Sequence, residues 1–233
     1  MKLNPQDLMK PTMREIRGMD VHRVIIIDNF LADPAEVRRL AMNLDMAEDN
    51  KSFYPGVSAV PNWDCSSLYY ALQNILERTI KPSEISLRIS AMTTKPKDLL
   101  PMQSRPHADH CYAAGMIYLN TPEQCSGGTA FYRHRATGFE WLPTTYLDHH
   151  RAAADRLGIS IETLDERLKA EPTATGQYIT GTNDEWELID SIDMRNNRFV
   201  VYTGNLFHSA YYTENMFGDA IDQRRLTFNF FIW

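Results

Sequence analysis

The chain is poor in cysteine and has no long apolar run. Cys65, Cys111 and Cys125 stand alone among 233 residues, an odd count without regular spacing. That excludes a disulfide framework, and it fits buried free thiols in a reducing compartment, so the expected location is cytoplasmic. The longest apolar stretches, 24–27, 199–202 and 228–233, are strand-sized. A membrane span needs ~20 residues. Residues 1–10 contain no apolar core of a signal peptide. Basic residues are also scarce: 24 against 30 acidic, a net charge of −6. No general basic footprint for nucleic acid exists, and no run of like charges suggests a membrane-binding tail. Internal repeats and low-complexity segments are absent. What remains is a composition, 43% hydrophobic and 23% charged, that suits a globular domain able to bury a full core.

The patterning divides the chain. The first twenty residues form an arm of no clear element. Residues 22–28 (HRVIIID) read as a strand by their β-branched run. Asp33, Pro34 and Glu36 open a helix running to about residue 44, with Asp33 as cap and Glu36 where a capping box wants it. A second helix from Asp64 or Ser66 carries Leu68, Leu72, Ile75 and Leu76 on one face. From residue 84 onward short strands dominate: 84–94, 116–119, 129–132, 187–194, 198–203 and 226–233, separated by Gly-, Pro- and Asn-containing turns. The expected fold is mainly β with flanking helices (α+β), a single domain over 1–233 whose core spans about 84–233. A double-sheet jelly roll is the economical architecture. Residues 144–170 interrupt the strands with two short polar helices broken at Gly158. An insertion of this size fits an element over or beside the mouth of a site.

His107-Ala108-Asp109 is the first chemical signal. In a strand, residues i and i+2 face one side, so an imidazole and a carboxylate can reach one Fe(II), Mn(II) or Zn(II) ion. With seven histidines and seventeen aspartates, about half a His-x-Asp match arises by chance, so the pair alone is weak. Later features strengthen it. Gly127-Gly128 opens the strand Thr129-Ala130-Phe131-Tyr132, where backbone can approach a site closely. His208 follows a hydrophobic strand. Arg225, Thr227 and Asn229 share a face of the last strand. His110 follows Asp109 directly and points away. His149 and His150 are adjacent on a helix and fit a solvated face. His134 stands at a strand end, and Tyr118 and Tyr132 are candidates to point into the barrel.

This ordered set resembles the iron(II)- and 2-oxoglutarate-dependent dioxygenase superfamily, over roughly residues 84–233. FYRH, NRFVVYTG, FHSA and RLTFNFF are similar to a subgroup of it often found beside tryptophan halogenases. The resemblance implies a double-stranded β-helix with His107, Asp109 and His208 as iron ligands. It implies Arg225 as the partner of the distal carboxylate of 2-oxoglutarate, aided by Thr227, with Tyr118 against the cosubstrate. It also implies oxidation of a C–H bond by dioxygen, with 2-oxoglutarate converted to succinate and CO2. His208 and Arg225 lie 17 positions apart, more than the family usually shows, so Arg224 competes with Arg225 for the anchoring role. Since Asp109 occupies the position that halogenases of the superfamily vacate for halide, hydroxylation and not chlorination is implied. The substrate expected is an amino acid, a small metabolite or a protein side chain. Two alternatives stand beside this reading: a cupin-like metalloenzyme that does not use 2-oxoglutarate, and a non-catalytic metal-binding or sensing barrel. Oligomeric state is open, a homodimer included.

Overall fold

The computed structural model describes residues 1–4, 10–18, 21–48, 54–142, 148–169, 177–213 and 220–233. Within them the chain forms β1 (Thr12–Arg17), β2 (Val21–Ile27), α1 (Pro34–Met42), β3 (Ala47–Glu48), β4 (Gly56–Ala59), α2 (Ser66–Ile75), β5 (Ile85–Met92) and β6 (Ala113–Tyr118). Then follow β7 (Gly128–His134), α3 (Asp148–Leu157), α4 (Ile161–Lys169), β8 (Trp186–Asp193), β9 (Phe199–Thr203), β10 (His208–Tyr211) and β11 (Leu226–Ile232). Among the described residues the strands make two antiparallel sheets. The larger runs β1-β2-β9-β6-β11-β5-β4-β3 and the smaller β10-β7-β8. The fold is mainly β with four described helices, an α+β arrangement.

The period of two along each strand sorts the side chains into layers. On β11, Leu226, Phe228, Phe230 and Ile232 enter one apolar core with Ile89 of β5, Ile117 of β6 and Phe199 of β9. Val37 and Ala41 of α1 and Leu68 and Leu72 of α2 close that core from outside. Phe199 stacks between Phe30 and Phe230 at ring distances of 4.5 and 5.2 Å. Each such buried side chain stabilises the fold by roughly 1.5–3 kcal/mol. The alternate residues, among them Met92, Met116, Tyr118, Val200 and Tyr202, face the small sheet and meet Phe131 and Ile192 there. Ala130, Tyr132 and Trp186 point out of the small sheet onto Ala153, Ala154 and Leu164 of α3 and α4. Helices thus cover the outer face of each sheet, and a cavity lies between the sheets.

Local chemistry starts α1 as expected at Asp33, whose carboxylate accepts the Glu36 amide at 2.9 Å. The reciprocal half of the capping box is replaced: Glu36 instead receives both guanidinium bonds of Arg39 at 2.7 Å. Part of the supposed N-terminal arm is β1, paired along its length with β2. The insertion does form two helices, with Gly158 at φ 65° between them. They pack behind the small sheet, and none of their described residues lines the cavity, contrary to the expected place at its mouth. The apolar stripe Ala153, Ala154 and Leu164 needs a partner, and the outward face of β7 and β8 supplies it. Positions 143–147 and 170–176 lie outside the described residues. His149 is exposed as expected, whereas His150 is buried, its ring 5.6 Å from Phe139 and its Nε2 3.7 Å from Asp165.

Candidate metal centre

His107 and His208 meet through the backbone. Each amide donates to the other's carbonyl at 2.9 Å, an isolated antiparallel bridge that extends the small sheet beside β10. His107 therefore lies on an extended segment with a single bridge, not within a strand ladder. The Asp109 amide donates to the Gly204 carbonyl at 2.7 Å, which turns that carboxylate back toward both histidines. His110, expected to point away, adopts a left-handed φ of 53° just beyond and lines the same cavity. β10 in turn pairs with β7, setting His208 opposite Phe131.

The three side chains converge, their ligand atoms all within 4.8 Å of one another. Asp109 Oδ1 is 3.6 Å from His107 Nε2, and Oδ2 is 3.3 Å from His208 Nε2. Neighbouring donors on a first-row ion, held at about 2.1 Å from the metal, stand about 3 Å apart, so these spacings suit one ion. The tautomer of His208 follows from its other nitrogen. Nδ1 lies 2.8 Å from the Leu206 carbonyl, which can only accept, so Nδ1 carries the hydrogen. Nε2 is then the His208 atom left to face the Asp109 carboxylate, 3.3 Å from Oδ2, and the position between them suits a cation. An imidazole tied by its far nitrogen to a carbonyl is also the usual support of a metal-bound histidine. Desolvation, followed by the proximity of His208, pushes His107 down to about 4. Burial works to raise the Asp109 pKa, but His208 and His107 outweigh it and hold the carboxyl below its ordinary range. At neutral pH His107 and Asp109 thus offer a neutral nitrogen and an ionised oxygen, the forms a metal binds.

The cluster opens into a cavity of about 300 Å³, at the lower end of small-molecule sites. Arg225, Thr227 and Asn229 line it together, as their shared strand face predicts. Arg225 is buried; its Nη1 donates to the Gly128 carbonyl, and its guanidinium carbon lies 5.2 Å from the Tyr118 ring centroid. Arg224 points elsewhere and donates to the Thr93 carbonyl at 3.1 Å. Thr227 is buried and faces the Tyr54 hydroxyl; burial drives that phenol up to about 12 against the opposing pull of Arg225 and Thr227. Tyr118 is not part of the described lining. Its hydroxyl is bonded to Thr129 Oγ1 at 2.8 Å and its ring lies beneath Arg225, so it supports the arginine from behind. Tyr132 faces the opposite side, toward α3 and α4. His134 is outside the described lining, its ring tilted against Trp186 at 4.8 Å.

Several cavity residues escaped the sequence reading. Tyr202 packs edge-on against His208 at 4.8 Å. Tyr54, Gln103, Arg105 and Tyr178 also line the cavity. Tyr202 was readable in principle, because period two along β9 puts it opposite the outward Val201. The others come from irregular segments without periodicity. A family model described as a family of unknown function, DUF6445, matches residues 9–232. No curated protein matches the chain.

Proposed function

The chain belongs to DUF6445, a family of unknown function, and we propose that it is an Fe(II)- and 2-oxoglutarate-dependent oxygenase acting on a small-molecule or amino-acid-like substrate. One observation carries the proposal. The ligand atoms of His208, Asp109 and His107 converge in the same cavity as a buried arginine and its neighbouring threonine. Two imidazoles and one carboxylate on one side leave further positions of a six-coordinate ion open to the cavity. Bound there, Fe(II) with 2-oxoglutarate and dioxygen would supply an oxidant for C–H bonds, one oxygen atom passing to the substrate and the other to succinate as CO2 is released.

The chain's own residues do the positioning. His107, Asp109 and His208 hold the metal, and the Leu206 carbonyl fixes the His208 ring. Arg225 receives the distal carboxylate of 2-oxoglutarate through its planar fork, and Thr227 adds a neutral hydrogen bond. Met92, Met116, Phe231 and Tyr202 keep the cavity largely apolar, so that charges inside it interact strongly. The topology supports a double-stranded β-helix as the frame. The central strands β9-β6-β11-β5 form one wall, and the His107 segment with β10, β7 and β8 forms the other. From β5 to β11 the chain passes back and forth between these walls.

The test has two steps. Calorimetric titration of metal-free protein with Mn(II) or Co(II) should give one site, followed by one site for 2-oxoglutarate only in the metal-loaded protein. Aerobic incubation with Fe(II), 2-oxoglutarate and a panel of amino acids and proteins should then release succinate with one substrate class. A protein that binds no divalent metal refutes the reading outright. A protein that binds metal and ignores 2-oxoglutarate is a cupin-like metalloenzyme or a binding barrel.

A further inference from the structure

We propose that Arg105 is an anion-binding residue for the substrate, which makes that substrate a small carboxylate on an apolar or aromatic body. The anion site stands on its own geometry; that its occupant is the substrate rests on the oxygenase reading.

The cavity contains two guanidinium groups with different commitments. That of Arg225 is buried, bonded to the Gly128 carbonyl and backed by the Tyr118 ring. Arg105 lines the same cavity, partly buried, two positions before His107, and makes no hydrogen bond or ion pair among the described residues. Its charge is felt at both His107 and His134. A guanidinium carries five donors in a fixed fork and no acceptor, and the fork matches a carboxylate. A partly buried guanidinium with no partner among the described residues leaves its fork to water, which a carboxylate can replace with paired charge-assisted bonds.

Charge bookkeeping around the site points the same way. Asp109 is the only acidic side chain in the described lining, and both histidines already engage it. The lining therefore holds two arginines against one carboxylate. A divalent ion adds two positive charges and 2-oxoglutarate removes two, leaving a surplus of one. A single carboxylate closes that balance, whereas a phosphate monoester overshoots it. The surface around this charge is apolar and aromatic, from Met92, Met116, Tyr178 and Phe231. A carboxylate head held at Arg105 leaves its apolar body to fill that space.

The matched probes are 3-phenylpropionate and 3-phenylpropionamide, titrated calorimetrically into Mn(II)-loaded protein saturated with 2-oxoglutarate, and separately into metal-free protein. The unmodified protein should bind the acid at least about tenfold more tightly than the amide, the size expected for one hydrogen-bonded charge pair. Arg105→Gln should equalise the two probes and leave the affinity for 2-oxoglutarate unchanged; Arg105→Lys should keep part of the preference. Equal or absent binding of both probes to the unmodified protein overturns the proposal. So does a preference for the acid that survives in Arg105→Gln. A loss of 2-oxoglutarate affinity in Arg105→Gln overturns it too, because the residue then serves the cosubstrate. Failure to bind Mn(II) or 2-oxoglutarate, with an Arg105-dependent preference persisting in metal-free protein, refutes the oxygenase reading and leaves the anion site standing.

Discussion

Replacing Arg225, a residue only 5% exposed, with alanine removes a guanidinium that lines the cavity with Thr227. Two costs follow. The folded protein loses the bond to the Gly128 carbonyl, a charged-donor hydrogen bond worth about 1.5–3 kcal/mol. On the oxygenase proposal, the distal carboxylate of 2-oxoglutarate also loses its desolvated partner, a change that typically costs about 2–5 kcal/mol. Thr227 can bond the same carboxylate in both proteins, so it does not offset the difference. The net loss for 2-oxoglutarate is then about 3 kcal/mol, more than a hundredfold in Kd. Arg225→Lys retains the charge without the fork, so its loss should be nearer tenfold. Arg224→Ala should stay within twofold, since that side chain is engaged with the Thr93 carbonyl. The assay is calorimetric titration of 2-oxoglutarate into Mn(II)-loaded protein, with a thermal melt to follow the fold. A folded, metal-loaded Arg225→Ala protein with unchanged 2-oxoglutarate affinity would refute the anchor. A larger loss in Arg224→Ala would move the anchor by one residue.

Three further outcomes are expected. His107→Ala and His208→Ala should each weaken Mn(II) or Co(II) binding by about a hundredfold or more, as fits the loss of one of three ligands; unchanged metal affinity in the double variant sinks the assignment. His134 is pushed down to about 4, first by burial and then by Arg105. The native state therefore binds fewer protons there than the unfolded chain between about pH 4 and 6.5. Stability should fall as pH drops through that window, by at most about 3 kcal/mol from this group, and an unaltered slope in chemical denaturation of His134→Gln removes it as the cause. Leu164, fully buried behind the small sheet, should cost about 2–5 kcal/mol of stability when truncated to alanine, read by denaturant melts. The same variant should keep its affinity for 2-oxoglutarate, and a matching loss there would mean that the helices reach the site.

How far the sequence could be read depended on whether a residue sits in a periodic element. The run at β2 and the alternation of β11 gave both strands and the shared face of Arg225, Thr227 and Asn229, because burial of Leu226, Phe228 and Phe230 leaves their neighbours no other side. β1 was illegible: Thr12, Met13, Arg14 and Glu15 are exposed, so an edge strand with one buried residue, Ile16, carries little pattern. The convergence of His107, Asp109 and His208 could be suspected from order alone. Their distances depend on a bridge between positions far apart in the chain. Tyr118 was misplaced because strand parity gives its face and not its depth; the guanidinium of Arg225 stands between its ring and the cavity. The helices α3 and α4 were legible as helices, but nothing in their polar composition names the surface they cover. Arg105 precedes a proline in an irregular segment, where a sequence offers no face at all.

The bridge between His107 and His208 has a consequence for the order in which the protein becomes whole. Its two hydrogen bonds join positions 107 and 208, so an unfolded chain must close a loop of about a hundred residues before the two imidazoles can share an ion. Closure of that length comes late among the contacts that set folding speed. A metal ion bound there would accordingly select the finished fold over the unfolded chain, and its binding energy would add to the stability of the native state by mass action. Metal depletion and thermal lability should be two readings of one equilibrium in this chain. The melting temperature would then track free metal concentration even when no cosubstrate is present.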